Sequence, residues 1–360
     1  MQYTKIAQQK WPVNTIPLVS ISCKTYMHAP FIRDAIEGFL MQQTTFPVEI
    51  LIHDDASPDG TADIVREYEK KHPQLIKATY QIENQHKKKP KTDKYVKPHP
   101  RRGKYVAMCE GDDYWTDPLK LQKQVEFMEA NPDFSMCFHA VELVDGHKKT
   151  GRVTGAGNKD TVFDQTKLFY SDGFHSPTAS LLFRKEHVEN RPEWSTKGPV
   201  GDIPLKLVLS QKGKFYYINQ VMGVRRIRVP GSWNDRVRNN PVQEYEYHKR
   251  MIPMLDGFND YSKYKYNDEV LDKKLYYTKK TFFFISRKER FFLLKQGRLS
   301  RAINRLSLFK KMEFLAVLLF PKLFDKNGII RRFVSGKKPV IFRIKKAKQI
   351  AFKKNRVNHS

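Results

Sequence analysis

Two pairs of adjacent carboxylates, Asp54-Asp55 and Asp112-Asp113, each follow a short β-forming run, Val48 to His53 and Tyr105 to Cys109. Neighbouring acids repel one another unless something positive or hydrogen-bond-donating sits between them. One such pair reads as well as a loop or a helix cap. Two at matched positions point instead to a bound cation with nucleotide contacts nearby, and Glu110, Asp112 and Asp113 together offer the hard oxygen ligands that Mg2+ or Mn2+ prefers.

The elements that must position these acids follow from periodicity. Strand patterns at Pro17 to Cys23, Val48 to His53, Leu75 to Ile82, Tyr105 to Cys109 and Phe134 to Ala140 alternate with helical ones. The helical stretches carry Ile32, Ile36, Phe39 and Leu40, then Ile64, Val65 and Tyr68, then Leu121, Val125 and Met128, each set on one face. Asp117 and Pro118 predict the N-cap and first turn of the third helix. Such alternation predicts an α/β fold with a mostly parallel central sheet flanked by helices. Both acidic pairs then fall at the carboxyl edge of that sheet, where open α/β sheets bind ligands. Residues 145 to 160 read as a break. Further strands are expected at Thr178 to Arg184, Phe215 to Ile218 and Met222 to Ile227, with a helix carrying Leu205, Val208 and Leu209 before the last two. Beyond residue 240 no strand pattern survives. The organisation expected is therefore a catalytic domain over 1–240 and a helical, strongly basic region over 241–360.

Composition narrows the function. With 40% hydrophobic and 12% aromatic residues the chain has enough apolar material for a packed core, which excludes global disorder. Lys plus Arg number 66 against 38 Asp plus Glu, a net charge of +28 that implies polyanionic company. The turn after the first strand, Cys23 to Phe31, has no glycine, so neither a dinucleotide fingerprint nor a phosphate-cradling loop fits there. Three cysteines without paired spacing favour a reducing compartment. The N-terminus lacks the pattern of a secretion signal, and the longest apolar run, Phe314 to Phe320, is far short of the roughly 20 residues a spanning helix needs.

Three blocks carry a resemblance: LVSISCKTYMHAPFIRDAIEGFLMQQ, VEILIHDDASPDGTADIV and GKYVAMCEGDDYWTDPLKLQKQVEFME. In order and spacing they resemble the successive blocks of inverting family 2 glycosyltransferases with the GT-A fold, over about residues 16 to 230. The resemblance implies that Thr25, Tyr26 and Asp55, with Asp54 beside them, hold the nucleoside of a nucleotide-sugar, usually a UDP-sugar. Glu110, Asp112 and Asp113 take the place of the family's D-x-D element, with Glu where the first Asp is usual; Asp112 and Asp113 would hold the metal and Glu110 and Asp112 the nucleotide-sugar. In GPVGDIPLKLVLSQKGKFYYI, Asp202 takes the position of the catalytic base, preceded by Gly201 where the family has Glu. A helix cap is the plain alternative for Asp202. In GVRRIRVPGSW, Arg226 and Arg228 take the position of the segment that closes over the diphosphate. Trp115 and His175 fall on the acceptor side.

That chemistry would be one displacement at the anomeric carbon, with Mg2+ or Mn2+ on the leaving diphosphate and Asp202 accepting the acceptor proton, so configuration inverts. The acceptor expected is a glycan or lipid-linked molecule in cell-surface polysaccharide synthesis. A non-enzymatic nucleic-acid-binding protein would account for +28 but leaves the acidic pairs unexplained, so nucleic acid is disfavoured. A scaffold for membrane enzymes would share the basic tail but need no metal.

Two basic stretches remain. His86 to Lys104 holds nine Lys or Arg and reads as a loop, solvated or reaching toward phosphate. From Phe291 onward 19 Lys or Arg face two acids, interleaved with Phe and Leu, which predicts adsorption to an anionic membrane surface at its cytoplasmic face.

Overall fold

A computed structural model of the 360-residue chain describes residues 3–12, 14–85, 95–170, 176–229, 232–296 and 299–321. The chain groups into two compact units, Met1–Lys273 and Lys274–Ser360.

In chain order the first unit runs β1 (Val19–Thr25), α1 (Ile32–Leu40), β2 (Val48–Asp54), α2 (Thr61–Lys71), β3 (Ile76–Tyr80), β4 (Tyr105–Glu110) and β5 (Tyr114–Trp115). Then come α3 (Lys120–Ala130), β6 (Phe134–Asp145), β7 (Lys148–Thr154), β8 (Thr161–Phe163), β9 (Leu182–Arg184) and α4 (Asp202–Leu209). Last are β10 (Lys214–Ile227), α5 (Trp233–Asn239), α6 (Pro241–Tyr261) and α7 (Asn267–Thr281), which runs on past Lys273.

Among the described residues one ten-stranded sheet has the order β8-β10-β6-β9-β4-β1-β2-β3, with β5 on β10 and β7 on β6. The parallel pairing expected holds for β4-β1-β2-β3 and for β6 with β10. β9 runs antiparallel between these two blocks, so the whole sheet is mixed. Alternation explains the core on one side: Val19, Ile21 and Cys23 of β1 pack in one apolar cluster with Ile32, Ile36 and Phe39 of α1 and Leu121, Val125 and Met128 of α3. The other side of β1 carries Ser20, Ser22 and Lys24.

Three local expectations are revised. The two strands expected at Phe215 to Ile218 and Met222 to Ile227 are one, because the residues between them are absorbed by register shifts against β6 between Ile218 and Gly223. The break expected at 145 to 160 contains β7, a polar exposed strand that gave no hydrophobic alternation. The third helix starts at Lys120, two residues beyond Pro118; Asp117 caps the turn before it, its Oδ1 accepting from the Leu119 N–H at 2.8 Å.

Beyond residue 240 the described residues form helices. α6 belongs to the first unit: Phe258 meets Trp194 at 5.6 Å between ring centroids, and Arg250 donates to the carbonyls of Lys197 and Gly198. In the second unit, α8 (Arg287–Gln296), α9 (Ser300–Arg305) and α10 (Leu308–Leu319) follow the last residues of α7. Phe282 packs on Phe314, and Lys279 pairs with Glu313 at 2.8 Å. No helix among the described residues is long and apolar enough to cross a membrane.

Candidate active site

At the carboxyl end of β4 the chain turns through Glu110-Gly111-Asp112-Asp113 into β5. Gly111 donates its N–H to the Lys24 carbonyl at 2.9 Å, and Asp113 donates to the Glu110 carbonyl at 3.1 Å. The turn leaves no room for a side chain at Gly111, where a Cβ would lie 2.7 Å from Thr25 Oγ1 and 2.9 Å from His28 Nδ1. The consequence is a set of three carboxylates, Glu110, Asp112 and Asp113, offering oxygens within 4.8 Å of one another.

These acids are in electrostatic tension. Burial, then Asp112 and Glu110, push the Asp113 carboxyl well above the ordinary range. Glu110 keeps exposed surface yet is ringed by protein; that enclosure, followed by Asp112 and Asp202, pushes it up to about 7. An all-carboxylate oxygen set in mutual repulsion fits a hard divalent cation.

Arg226 of β10 locks this turn. Its N–H donates to Asp113 Oδ1 at 2.8 Å, Nη1 to the Asp112 carbonyl at 2.8 Å and Nε to the Gly146 carbonyl at 3.1 Å, while Nη2 pairs with Asp34. The guanidinium lies against the rings of Phe31 and Tyr114. With its side chain 2% exposed, Arg226 is a brace for the acidic turn, which corrects its reading as a clamp on diphosphate. Arg228 is exposed, has a left-handed backbone (φ 57°) and pairs with Asp145.

Asp202 is the first residue of α4, and Lys206, one turn on, brings a buried ammonium to 3.1 Å from Asp202 Oδ2 and 3.3 Å from the Ser176 carbonyl. Burial raises the Asp202 carboxyl, but the Lys206 charge and hydrogen bond outweigh it and hold the group below the ordinary carboxylate range. Asp202 is near enough for its charge to act on Glu110.

Thr25 ends β1 beside this turn, 3% exposed, and its Oγ1 has no hydrogen-bond partner among the described residues. Asp55 follows β2 and donates its N–H to the Thr25 carbonyl at 3.1 Å, while its Oδ1 accepts from the Gln85 N–H at 2.7 Å. Tyr26 is part-exposed with the Arg236 guanidinium 6.0 Å above its ring. The expected group of Thr25, Tyr26 and Asp55 is thus gathered at one sheet edge. Asp54 is not with them: it is 2% exposed and its carboxylate accepts from the N–H and hydroxyl of Ser57. Trp115 departs too, since it is 1% exposed, donates Nε1–H to the Ala179 carbonyl at 2.7 Å and packs on Phe39; it is core and not a wall open to a sugar. His175 lies outside the described residues.

The sequence itself, compared with known proteins, gives the assignment. Residues 20–190 match the family model for Glycosyl transferase family 2. The chain carries a family 2 glycosyltransferase domain. The mixed sheet and its flanking helices agree with the GT-A type fold expected, and helices follow it in the C-terminal region. An uncharacterized protein of Mycobacterium tuberculosis (strain H37Rv) is 44% identical over 141 residues, 36% of this chain and 37% of that one. The putative teichuronic acid biosynthesis glycosyltransferase TuaG of Bacillus subtilis (strain 168) is 34% identical over 134 residues, 37% of this chain and 51% of TuaG. The chain spans between about a third and somewhat over half of the length of the curated relatives it matches. Among solved structures, S. aureus TarS 1-349 in complex with UDP-GlcNAc gives a TM-score of 0.49 at 14% identity, covering 84% of this chain and 80% of that one.

Four residues around these acids escaped the sequence reading. Arg225 on β10 acts on Glu110, Asp113 and Asp202 alike, lowering each. Its neighbour Arg226 fitted a motif and drew the attention. Lys206 was findable as the partner one turn beyond Asp202. His28, with Nε2 3.8 Å from Asp112, and Arg236 above Tyr26 gave no local signal, because the contacts are long-range.

Proposed function

We propose that this chain is an inverting glycosyltransferase that moves a sugar from a nucleotide-sugar, a UDP-sugar in the first instance, to a hydroxyl of a glycan or lipid-linked acceptor. The observation that carries this reading is the three-carboxylate turn at the carboxyl end of β4, with Asp202 near enough to act on Glu110. Thr25, Tyr26 and Asp55 bind and orient the nucleoside at the end of β1. Glu110, Asp112 and Asp113 hold the cation, and Arg226 fixes the turn that presents them. Mg2+ or Mn2+ bound there would neutralise the charge that develops on the leaving diphosphate. Asp202 takes the acceptor proton at its carboxylate as the hydroxyl attacks, and Lys206 keeps that carboxylate ionised and pointed. Identity to TuaG supports cell-surface polysaccharide as the product class.

The catalytic machinery is placed within residues 1–240, and 241–360 is assigned to support and attachment. The test is a donor screen scored by released nucleoside diphosphate with and without Mn2+. Release that needs both a nucleotide-sugar and the metal supports the reading; nucleic-acid binding with no release from any donor contradicts it.

Attachment to the cytoplasmic face of an anionic membrane belongs to the same proposal. α10 buries Phe314, Val317 and Leu318 but leaves Leu308 (76% exposed), Phe309 (78%), Met312 and Leu315 open, with Lys310 and Lys311 beside them. Apolar side chains flanked by cations suit an anionic bilayer surface, where each cation contributes about 1 kcal/mol. The basic residues from 322 onward lie outside the described residues. Replacing Leu308, Phe309 and Met312 by Gln should lower sedimentation with anionic vesicles at low salt. Equal sedimentation of both forms would reject α10 as the contact.

A further inference from the structure

Three cations outside the set assigned to the transferase reaction, Lys24, Arg101 and Arg191, act on one another at the sheet side that carries Ser20 and Ser22. Strand register sets Lys24 of β1 beside Glu110 of β4 and His53 of β2. Alternation places Lys24 on the same side as Ser20 and Ser22, away from α1. Part of the basic loop anticipated from sequence crosses that side. It is pinned there: Arg102 donates N–H and Nε to the two oxygens of the buried Glu49 at 2.8 and 2.9 Å, and Gly103 N–H donates to Ser20 Oγ at 2.9 Å. Gly103 is pressed so closely onto β1 that a Cβ would lie 2.5 Å from Ser20 N. With Arg102 consumed by Glu49, the adjacent Arg101 is left exposed, its guanidinium in no hydrogen bond or ion pair with any described residue. The third cation, Arg191, is held by Nε to Ser195 Oγ at 3.2 Å and Nη2 to the Ser195 carbonyl at 3.0 Å, which leaves Nη1 uncommitted among the described residues.

We propose that Lys24, Arg101 and Arg191 form a subsite for an anionic group, a carboxylate or phosphate, carried by one of the two sugars that meet at Asp202. This rests on reading the cleft as a transferase site. Lys24 and Arg101 are exposed and Arg191 half-buried, yet protein encloses each enough to push its proton affinity down, and for Lys24 the charges of Arg101 and Arg191 push the same way. Glu110 and Asp55 act on Lys24 in the opposite sense and tie the cluster to the catalytic edge. Among the described residues no acid is bonded to Lys24 or Arg101, so these neighbouring cations mirror the acidic turn: each set lacks a counter-charge that a bound ligand would bring. The anion could arrive on the donor sugar or on the acceptor, and the chemistry is the same for both.

The experiment uses the full chain and calorimetry. In the donor arm, UDP-glucuronate is compared with UDP-glucose in the presence of Mn2+. In the acceptor arm, methyl glucuronide and inorganic phosphate are compared with methyl glucoside, with and without UDP and Mn2+. Wild type should bind the charged probe of at least one arm about ten-fold more tightly than its neutral counterpart, as charge-assisted hydrogen bonds to a guanidinium imply. Arg101→Gln should bring that preference within about two-fold while Mn2+-dependent UDP binding is unchanged, and Arg101→Lys should restore part of it. Equal binding of charged and neutral probes in both arms, or an undiminished preference in Arg101→Gln, overturns the subsite. Failure of UDP to bind with Mn2+ would count against the transferase reading alone, because the phosphate and methyl glucuronide measurements without UDP still decide the subsite.

Discussion

The carboxyl ends of β2 and β4 each carry two adjacent aspartates, and they solve the problem of like charges in different ways. After β2, Asp54 is satisfied by Ser57 and buried, and Asp55 stands at the edge, accepting from the Gln85 N–H. After β4, Asp113 receives one backbone donor from Arg226, His28 stands 3.8 Å from Asp112, and Arg225 offsets only part of the repulsion that raises Glu110 and Asp113. The first pair is a turn with one member at the sheet edge. The second is the carboxylate set proposed to hold the cation. What separates them is the supply of local donors: Ser57 sits three residues from Asp54, whereas the β4 turn has a glycine where a donor side chain would have collided with Thr25.

The largest expected effect falls where the acidic turn meets its neighbour. Asp202→Asn should keep donor affinity and lose turnover by about 10²- to 10⁴-fold, the usual contribution of a general base. A weaker donor affinity with an unchanged rate constant would make Asp202 a binding residue. The next effect contrasts the two pairs directly. Asp54→Ala leaves the Ser57 donors unpaired and should cost about 1–3 kcal/mol in denaturant unfolding with Mn2+ affinity unaltered. If Mn2+ affinity fell as much as stability did, the two strand ends would share one site.

A smaller effect concerns pH. The folded value of Asp202 is depressed, so its ionised form, and the stability its Lys206 pair contributes, are present above the unfolded value and lost as pH falls through the folded one. Lys206→Met removes the main depressing charge, so the acid limb of kcat/KM should move to higher pH while activity at alkaline pH is largely kept. An unmoved limb would assign it to another group.

Much of this was legible in the sequence. β1, β2 and β4 were readable because their apolar runs end in turn residues, and the acids after β2 and β4 fall at the carboxyl edge as expected. Thr25 and Asp55 lie side by side there. Legibility failed where sequence distance hides contact. Arg226 reads as a solvated or phosphate-facing arginine until Asp34, Asp112, Asp113 and Gly146, from three separate segments, converge on it. Trp115 followed the acidic motif closely enough to suggest a sugar contact, yet the pairing of β5 with β10 turns it inward toward Phe39. Nor could spacing separate Arg101 from Arg102, since only the position of Glu49 decides which of the two is spent.

The most direct measurement of the contrast is calorimetric titration of UDP into wild type, Asp112→Ala and Asp54→Ala, each with Mn2+ and with the metal chelated. UDP should bind wild type and folded Asp54→Ala only when Mn2+ is present, and Asp112→Ala should lose the metal-dependent component. Binding to wild type that ignores chelation, or metal dependence that survives in Asp112→Ala, would contradict the assignment of the β4 turn as the cation site.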